Sequence, residues 1–297
     1  HYGLSRSLST VFFTPLPGTA AEGEGIADMM VEPILLQDAL ANESALADRS
    51  APVLLHVATH GFFLPQLDET GRREQERGLE YDVGGRLLDR NQADPMLRAG
   101  LALAGANLEP TPESPDDGIL TAAEAQWLKL QGTELVVLSA CETGVGDLVD
   151  GEGVVGLRRA FLLAGAQSIV TSLWKVDDEA TKDLMLAYFG GLERGADRAA
   201  ALRDAQQRLA SQPKTAHPYY WASFVSTGKT GPLVHREVFR PRLDGPPTIK
   251  RAGRCAVTDD PSPLVAGWLV LLLLARRRTR LAKPICQTES SAHRWRL

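Results

Sequence analysis

Cysteine is scarce in this chain of 297 residues, which has only Cys141, Cys255 and Cys286. An odd number of widely spaced cysteines without a C-x-x-C pair argues against a disulfide framework and against a structural zinc site. The same scarcity favours a reducing compartment, where a thiol stays available for chemistry. We therefore expect a cytoplasmic protein that uses neither a metal nor a cofactor.

Basic residues are few in the first part of the chain. Residues 1–234 hold 19 lysines and arginines against 32 aspartates and glutamates. A body this acidic argues against nucleic acid as the main partner. The chain begins at His1 rather than at a methionine, so we expect it to be a fragment of a longer protein. No basic-then-apolar signal segment opens it.

Long hydrophobic runs are also missing. The apolar segment 264–275 is followed directly by Arg276–Arg278. As a helix it would reach ~18 Å, well short of a bilayer core of about 30 Å. The order of a cysteine (Cys255), a short apolar segment and an arginine cluster resembles certain bacterial C-terminal sorting tails. The match is imperfect, because about twenty further residues follow the arginines. Membrane contact through 264–280 is therefore the lesser alternative to a disordered or misread extension.

The region after residue 233 differs in composition from what precedes it. Residues 235–297 carry 13 basic residues against five acidic ones and are rich in proline and arginine. The sequence thus predicts a domain over 1–233 and a basic extension over 234–297. Within the domain, apolar strand-like runs alternate with helical patterns, which is typical of βαβ units. The predicted strands include 53–59, 134–140, 167–174 and 219–225, and the predicted helices include 37–48, 154–164, 177–189 and 196–210.

This alternation predicts an α/β fold, a three-layer α/β/α sandwich with a mostly parallel sheet. Thr121 and Glu124 have the spacing of a capping box at a helix start. Gly165 should close the helix over 154–164. The polar stretch 65–95 is long for a loop in a compact domain, and such loops are usually functional or mobile.

Two apolar strands end in reactive residues. V-L-L-H-V-A-T-H-G at 53–61 delivers His60 and then Gly61, and L-V-V-L-S-A-C-E-T-G at 135–144 delivers Cys141. Open α/β sheets usually carry their sites at the carboxyl ends of the strands. If the strands are parallel neighbours, an imidazole would lie beside a thiol, the pairing that produces a thiolate at neutral pH.

A structural role is the competing interpretation for both residues, since most strand-end histidines and buried cysteines only pack. The joint pattern favours chemistry. His56 lies four residues before His60 in the same strand, so alternation puts both on one face. His56 does not reach the strand end, and we interpret it as a packing or supporting residue.

The two segments A-T-H-G-F-F at 58–63 and L-S-A-C-E-T-G at 138–144 resemble the signature segments of the CHAT domain, a branch of the caspase-like cysteine peptidases. The resemblance covers about residues 8–233 and implies a caspase-like fold. Further matching segments lie at 16–22, 96–107, 116–124, 151–166, 172–178 and 217–225. The caspase signature Q-A-C-x-G is absent, because Ser139 occupies the position of its glutamine.

This resemblance implies a cysteine endopeptidase that acts on a protein or peptide substrate. Cys141 would be the nucleophile, and His60 would be the general base and acid. The backbone N–H groups of Gly61 and Cys141 would form the oxyanion hole. CHAT domains commonly follow tetratricopeptide-type helical repeats, so a helical-repeat sensor region upstream is also implied.

Acidic residues near the strand ends are candidates for a substrate pocket that would favour a basic P1 residue. They are Asp147, Asp150, Glu152, Asp177 and Asp178. The alternative for Asp177 and Asp178 is that they only cap and charge the start of a helix. The segment G-E-G-V-V-G at 151–156 matches a dinucleotide fingerprint, but it does not follow a strand directly, so we expect no nucleotide site.

Two other functions remain open at this point. The chain could be a non-enzymatic interaction module that keeps the fold without turnover. It could also be a membrane-tethered adaptor that works through its basic tail. Retention of both His60 and Cys141 favours the enzyme.

Overall fold

The computed structural model describes residues 12–63, 95–108, 116–142, 152–174, 176–240 and 271–275. For Pro95, 141–142, 152–155 and 271–275, the description is of the backbone. The helices are α1 (Pro17–Asp28), α2 (Glu43–Ala47), α3 (Pro95–Arg98), α4 (Ala122–Ala125), α5 (Glu152–Leu163), α6 (Asp178–Glu193) and α7 (Arg198–Ala210). The strands are β1 (Ile34–Leu36), β2 (Leu54–Phe63), β3 (Ala99–Ala102), β4 (Ile119–Thr121), β5 (Leu135–Glu142), β6 (Ser168–Ser172), β7 (Phe224–Gly228) and β8 (Leu271–Ala275).

These strands form one mixed sheet in the order β1-β8-β2-β5-β6-β7, with β3 pairing to β2 and to β4. The central strands β2, β5 and β6 are parallel to one another, and the flanking strands pair antiparallel. The predicted α/β class is therefore confirmed, and its parallel part is the core of the sheet.

Helices cover both faces of the sheet, which explains why the central strands are mostly apolar on both of their faces. In β2, Leu54 and Ala58 pack with α1, α6 and α7, whereas Leu55 and Val57 pack with α2, α4 and α5. Every residue of β2 is buried. The result is the three-layer sandwich that the alternation of strands and helices predicts.

Local signals place several helix ends where the sequence predicts them. Thr121 and Glu124 form the predicted capping box of α4, in which each side chain satisfies the other residue's backbone N–H. After α5 the chain turns at Gly165, whose φ is +109°. A Cβ there would lie 2.8 Å from the Gln131 backbone nitrogen, so the turn requires glycine.

Two predicted elements differ from the structure. The helix over 37–48 is a 3-10 turn, Asp38–Leu40, followed by the short α2. The strand over 219–225 begins only at Phe224, because Pro218–Tyr220 form a 3-10 turn capped by the His217 side chain. Proline and a capping side chain favour the turn over strand pairing despite the aromatic content.

The segment after residue 233 contacts the body. Val238 and Phe239 are buried in the same cluster as α6 and α7, and the Arg240 Nε donates to the Met30 carbonyl at 2.6 Å. Farther on, β8 lies between β1 and β2. The division of the chain at residue 233 stays a prediction, and these contacts belong to the predicted extension. The polar stretch 65–95 lies almost wholly outside the described residues.

Candidate active site at the carboxyl ends of two parallel strands

The register of β2 and β5 brings His60 and Cys141 together. The two strands run parallel from the pair Leu54 and Leu135 onward, and His60 is the register partner of Cys141. Neighbouring strands lie about 4.8 Å apart, so the two backbones are adjacent at this point. Earlier on this face, Ala58 pairs with Ser139. The apolar runs of both strands end at one edge of the sheet.

The imidazole of His60 is held by the segment that leads into α1. Its Nε2 is 2.5 Å from the carbonyl oxygen of Thr14, and its ring packs against Phe13 with centroids 5.7 Å apart. Because a carbonyl can only accept, Nε2 carries the proton. In the neutral ring Nδ1 is then the nitrogen that can take a proton, which is the property a general base needs.

Asp178 provides negative charge beside this histidine. It is the first residue of α6 and is half-buried. Burial raises the pKa of its carboxyl, and the negative charges of Asp177 and Glu22 act in the same direction. A hydrogen bond from the Gly18 backbone N–H and the charge of His60 oppose this rise. Asp178 therefore interacts electrostatically with His60 from the first turn of α6, where this helix meets the start of α1.

Asp177, the neighbouring candidate, serves the helix. Its Oδ1 accepts hydrogen bonds from the backbone N–H groups of Glu179 at 3.1 Å and Ala180 at 3.0 Å. These bonds satisfy two of the unpaired donors at the start of α6. The capping alternative thus describes Asp177, whereas Asp178 accepts a hydrogen bond from the Gly18 backbone N–H and interacts electrostatically with His60.

A buried pair lies beneath the site on the same face of β2. The Nε2 of His56 is 2.8 Å from Oε1 of Glu22, which lies on α1. Both side chains are at most 2 % exposed, and the His56 ring meets Phe189 of α6 edge to face. His56 therefore joins the sheet to two helices, in agreement with its interpretation as a packing or supporting residue.

Residues 3–229 match the family model described as the CHAT domain. The chain belongs to the CHAT family. Its α/β sheet is consistent with the caspase-like fold.

Two curated relatives contain a similar segment. The human and mouse proteins named Tetratricopeptide repeat protein 28 are both 38% identical to this chain over 110 residues. That segment is 37% of this chain and 4% of each relative. The chain thus matches a small part of much longer repeat proteins.

The structure describes only some of the other site residues that the sequence predicts for this CHAT domain. Asp147 and Asp150 lie outside the described residues. Glu152 is the first residue of α5, and Gly61 lies in β2 with Glu142 as its register partner. The structure therefore brings together His60, Gly61 and Cys141 by backbone register and adds Asp178 from α6.

Sequence reasoning missed the Thr14 carbonyl and the Phe13 ring. Every residue has a carbonyl, so no residue type marks this contact. The matching CHAT segment at 16–22 begins just after these two residues and was the one local signal near them. Phe13 is 1% exposed, so its side chain belongs to the core.

The residues that the structure describes form neither a metal site nor a membrane-spanning helix. Across these ranges, no three His, Cys, Asp or Glu side chains are grouped so as to hold a metal ion. Among the same residues, no helix has both the length and the apolar character that crossing a bilayer requires.

Proposed function

We propose that this CHAT domain is a cysteine endopeptidase with a Cys141–His60 dyad. The observation that supports it is the register of His60 with Cys141 at the carboxyl ends of two parallel strands. Family membership supports the same reaction class, since CHAT belongs with the caspase-like peptidases. An active-site thiol needs an imidazole partner, and this register supplies one at the correct edge of the sheet.

In the proposed reaction, the Cys141 thiolate attacks the carbonyl carbon of the scissile peptide bond. The backbone N–H groups of Gly61 and Cys141 stabilise the oxyanion, each at about 3 kcal/mol. When the C–N bond breaks, the His60 imidazolium gives its proton to the leaving amine. A water molecule then loses a proton to His60 and attacks the thioester, which releases the acid product and restores the Cys141 thiolate beside the His60 imidazolium.

Substrate preference follows from the acidic groups near the dyad. We propose a basic P1 residue, with Asp178 the strongest candidate to pair with it, because its carboxyl already lies near His60. Asp147, Asp150 and Glu152 follow Cys141 in the chain and remain candidates for the same pocket. Asp177 is the weakest candidate because its Oδ1 accepts two helix N–H groups.

Control by a helical-repeat sensor region is part of the proposal. The two relatives are named as tetratricopeptide repeat proteins, and the segment they share with this chain is a small part of their length. A proteolytic domain joined to such repeats would act on protein substrates in the cytoplasm, where the Cys141 thiol would stay reduced.

A catalytically silent interaction module is the second candidate, and one observation favours it. His60 is only 6% exposed, and its Nε2 is engaged by Thr14. A buried imidazole of this kind could stabilise the fold without turning over a substrate. Reactivity of the Cys141 thiol separates the two functions, because only the peptidase requires an activated thiolate.

The deciding experiment combines alkylation with peptide cleavage. Iodoacetamide at neutral pH should modify Cys141 faster than Cys255 and Cys286, as measured by peptide mass spectrometry over time. His60→Ala should remove this advantage, whereas His217→Ala, a surface control, should leave it unchanged. Equal rates for all three cysteines in the parent chain would favour the interaction module.

A panel of fluorogenic peptides measures the proposed activity itself. We expect cleavage after Arg or Lys to exceed cleavage after Asp or Leu, and Cys141→Ala to abolish all of it. Similar rates for all four peptides would reject the acidic pocket while leaving the peptidase proposal in place.

A further inference from the structure

The His60 ring depends on a short segment that we call the strap, residues 12–16, which leads into α1. Within it, Thr14 supplies the carbonyl that accepts from His60, although Thr14 itself is exposed. Phe13 is buried and lies against His60 and also against Phe62, with ring centroids 6.2 Å apart. The strap therefore contacts the imidazole in two ways, through the Thr14 carbonyl and through the Phe13 ring.

One side chain clamps the strap by two hydrogen bonds. The Phe13 backbone N–H donates to Oδ1 of Asn107 at 3.1 Å. The Asn107 Nδ2 in turn donates to the Phe13 carbonyl at 3.2 Å. An asparagine amide carries both an acceptor and donors, so one side chain can pair with both backbone groups of a single residue. The Asn107 side chain thus makes the two hydrogen bonds to Phe13 that the backbone of a neighbouring strand would otherwise make.

Backbone contacts hold the loop that carries Asn107 in place. It follows β3, whose Ala102 is the register partner of His60. The Ala106 N–H donates to the Leu103 carbonyl at 3.1 Å. Opposite it, Gly118 has a φ of +78°, and a Cβ there would come within 2.0 Å of the Ala106 nitrogen. The loop and its neighbour pack backbone to backbone, so the Asn107 side chain extends from a fixed frame.

We propose that Asn107 is a positioning residue that holds the imidazole of His60 in its catalytic orientation and tautomer through the strap. The proposal rests on the proposed cysteine peptidase function. Asn107 is 94 residues from Phe13 in sequence, and it acts through Phe13 and Thr14 rather than by touching the dyad. Without the clamp, the Thr14 carbonyl is no longer held at Nε2, and the ring can populate its other tautomer and other rotamers.

Two variants test the clamp. Asn107→Asp keeps the acceptor for the Phe13 N–H but loses the donor and places a carboxylate against the Phe13 carbonyl. Asn107→Ala removes both bonds. At neutral pH we expect Asn107→Ala to slow alkylation of Cys141 by roughly tenfold, a fraction of the full effect of a general base, and Asn107→Asp to slow it by at least several-fold.

The readout that a purely structural role would not change is a double-mutant cycle with His60→Ala. If Asn107 acts through His60, Asn107→Ala should change the alkylation rate only in the chain that retains His60. Nitrogen-15 chemical shifts of the His60 ring should report one Nε2–H tautomer in the parent chain and a mixture in both variants. An equal loss in both halves of the cycle, with an unchanged tautomer, would overturn the proposal.

Asn42 provides a matched control. Its Oδ1 accepts from the Ala45 N–H at 2.8 Å at the start of α2, so Asn42→Ala also removes an asparagine clamp on the backbone. We expect Asn42→Ala to lower the thermal midpoint without changing the Cys141 alkylation rate. A comparable rate loss in Asn42→Ala would reduce the role of Asn107 to general stability.

The same measurements distinguish failure of this proposal from failure of the peptidase proposal. If Cys141 in the parent chain is no more reactive than Cys255 and Cys286, the dyad itself is rejected. If the parent is reactive and Asn107→Ala retains the full rate, only the role of Asn107 is rejected. Asn107→Asp keeps one of the two bonds and is the variant to measure if Asn107→Ala unfolds.

Discussion

At the scale of single residues, the behaviour of charged side chains is determined by their burial and by the charges around them. Glu43, at the start of α2, shows this clearly. Burial raises the pKa of its carboxyl to about 8, and the charges of Asp117, Glu124 and Asp116 add to the rise. The Gly118 N–H donates to its Oε1 at 2.8 Å and opposes the shift.

We predict that Glu43→Gln makes the protein more stable at alkaline pH. The folded-state pKa of Glu43 lies above its unfolded value of about 4.5, so the folded state binds the extra proton between these values. Stability in the parent should therefore fall as pH rises from about 4.5 to about 8. Glutamine keeps the carbonyl that accepts from Gly118 and removes this dependence.

Urea unfolding at pH 5 and at pH 8.5 measures this effect. We expect the variant to gain about 1 kcal/mol at the higher pH relative to the parent, with allowance for the exposed part of the side chain. Glu237→Gln, on an exposed glutamate, is the control and should change neither value. A parent and a Glu43→Gln variant with parallel pH profiles would contradict the prediction.

At the scale of elements, two helix starts meet at the candidate site. The start of α6 presents Asp177 as the cap and Asp178 toward α1, where Gly18 donates its backbone N–H. The contact is close, because a Cβ on Gly18 would lie 3.0 Å from the Asp178 Cβ. Asp177 and Asp178 therefore make different contacts, one with the N–H groups of its own helix and the other with α1. Their adjacent positions in the sequence do not predict this difference.

We predict that substitutions at these aspartates separate stability from specificity. Asp177→Ala removes two hydrogen bonds to the helix start and should cost about 1 kcal/mol in the free energy of unfolding. Asp177→Ser, which can still cap, should recover most of that loss. Neither should change the ratio of cleavage after Arg to cleavage after Leu, measured with the fluorogenic peptides.

Asp178→Asn should do the reverse. It leaves the cap intact and removes the negative charge proposed to pair with a basic P1 residue, so the Arg-to-Leu ratio should fall by about tenfold. A ratio that falls with Asp177→Ala and not with Asp178→Asn would exchange the roles of the two residues.

At the scale of the whole molecule, a buried ionic network holds residues 234–235 against the sheet. Glu134, at the start of β5, accepts from Nη2 of Arg198 at 3.1 Å and from the backbone N–H of Val234 at 2.6 Å. It also accepts from the backbone and the ring of His235. Burial alone would raise the pKa of Glu134, but the hydrogen bonds from His235 and Val234 lower it overall.

We predict that Glu134→Ala destabilises the protein by about 3–5 kcal/mol, because it leaves the fully buried Arg198 cation without its partner. The double variant Glu134→Leu with Arg198→Met should recover much of this loss. Chemical denaturation of the three chains measures the difference. A double variant less stable than Glu134→Ala would show that the backbone bonds, and not the lone cation, dominate.

The pH dependence of this network has the opposite sign to that of Glu43. The folded-state pKa of Glu134 lies below its unfolded value, so its contribution is present above the unfolded pKa and is lost as pH falls through the folded pKa. Acid unfolding of the parent should begin with release of residues 229–235. Hydrogen exchange of the Val234 and His235 amides at falling pH measures this, and exchange no faster than elsewhere would contradict it.

The sequence by itself determined the elements whose signals are local. Two mostly apolar runs predict buried parallel strands that end at His60 and Cys141, and Thr121 with Glu124 predicts a capping box. These signals depend on side-chain alternation and on contacts within one turn, so the chain order contains them. The helix over 37–48 and the strand over 219–225 were wrong, because capping and proline turn chemistry outweighed the average composition there.

Only the tertiary structure decided which distant groups meet. The Thr14 carbonyl at His60, the Asn107 clamp on Phe13, and the bonds of Glu134 to Arg198 and His235 join segments far apart in the chain. Many of these contacts use backbone N–H and carbonyl groups. Nearly every residue type carries these groups, so the amino-acid composition does not predict the contacts. Their partners are selected by the packing of the sheet and its two helical layers, which brings the loops together at its edges.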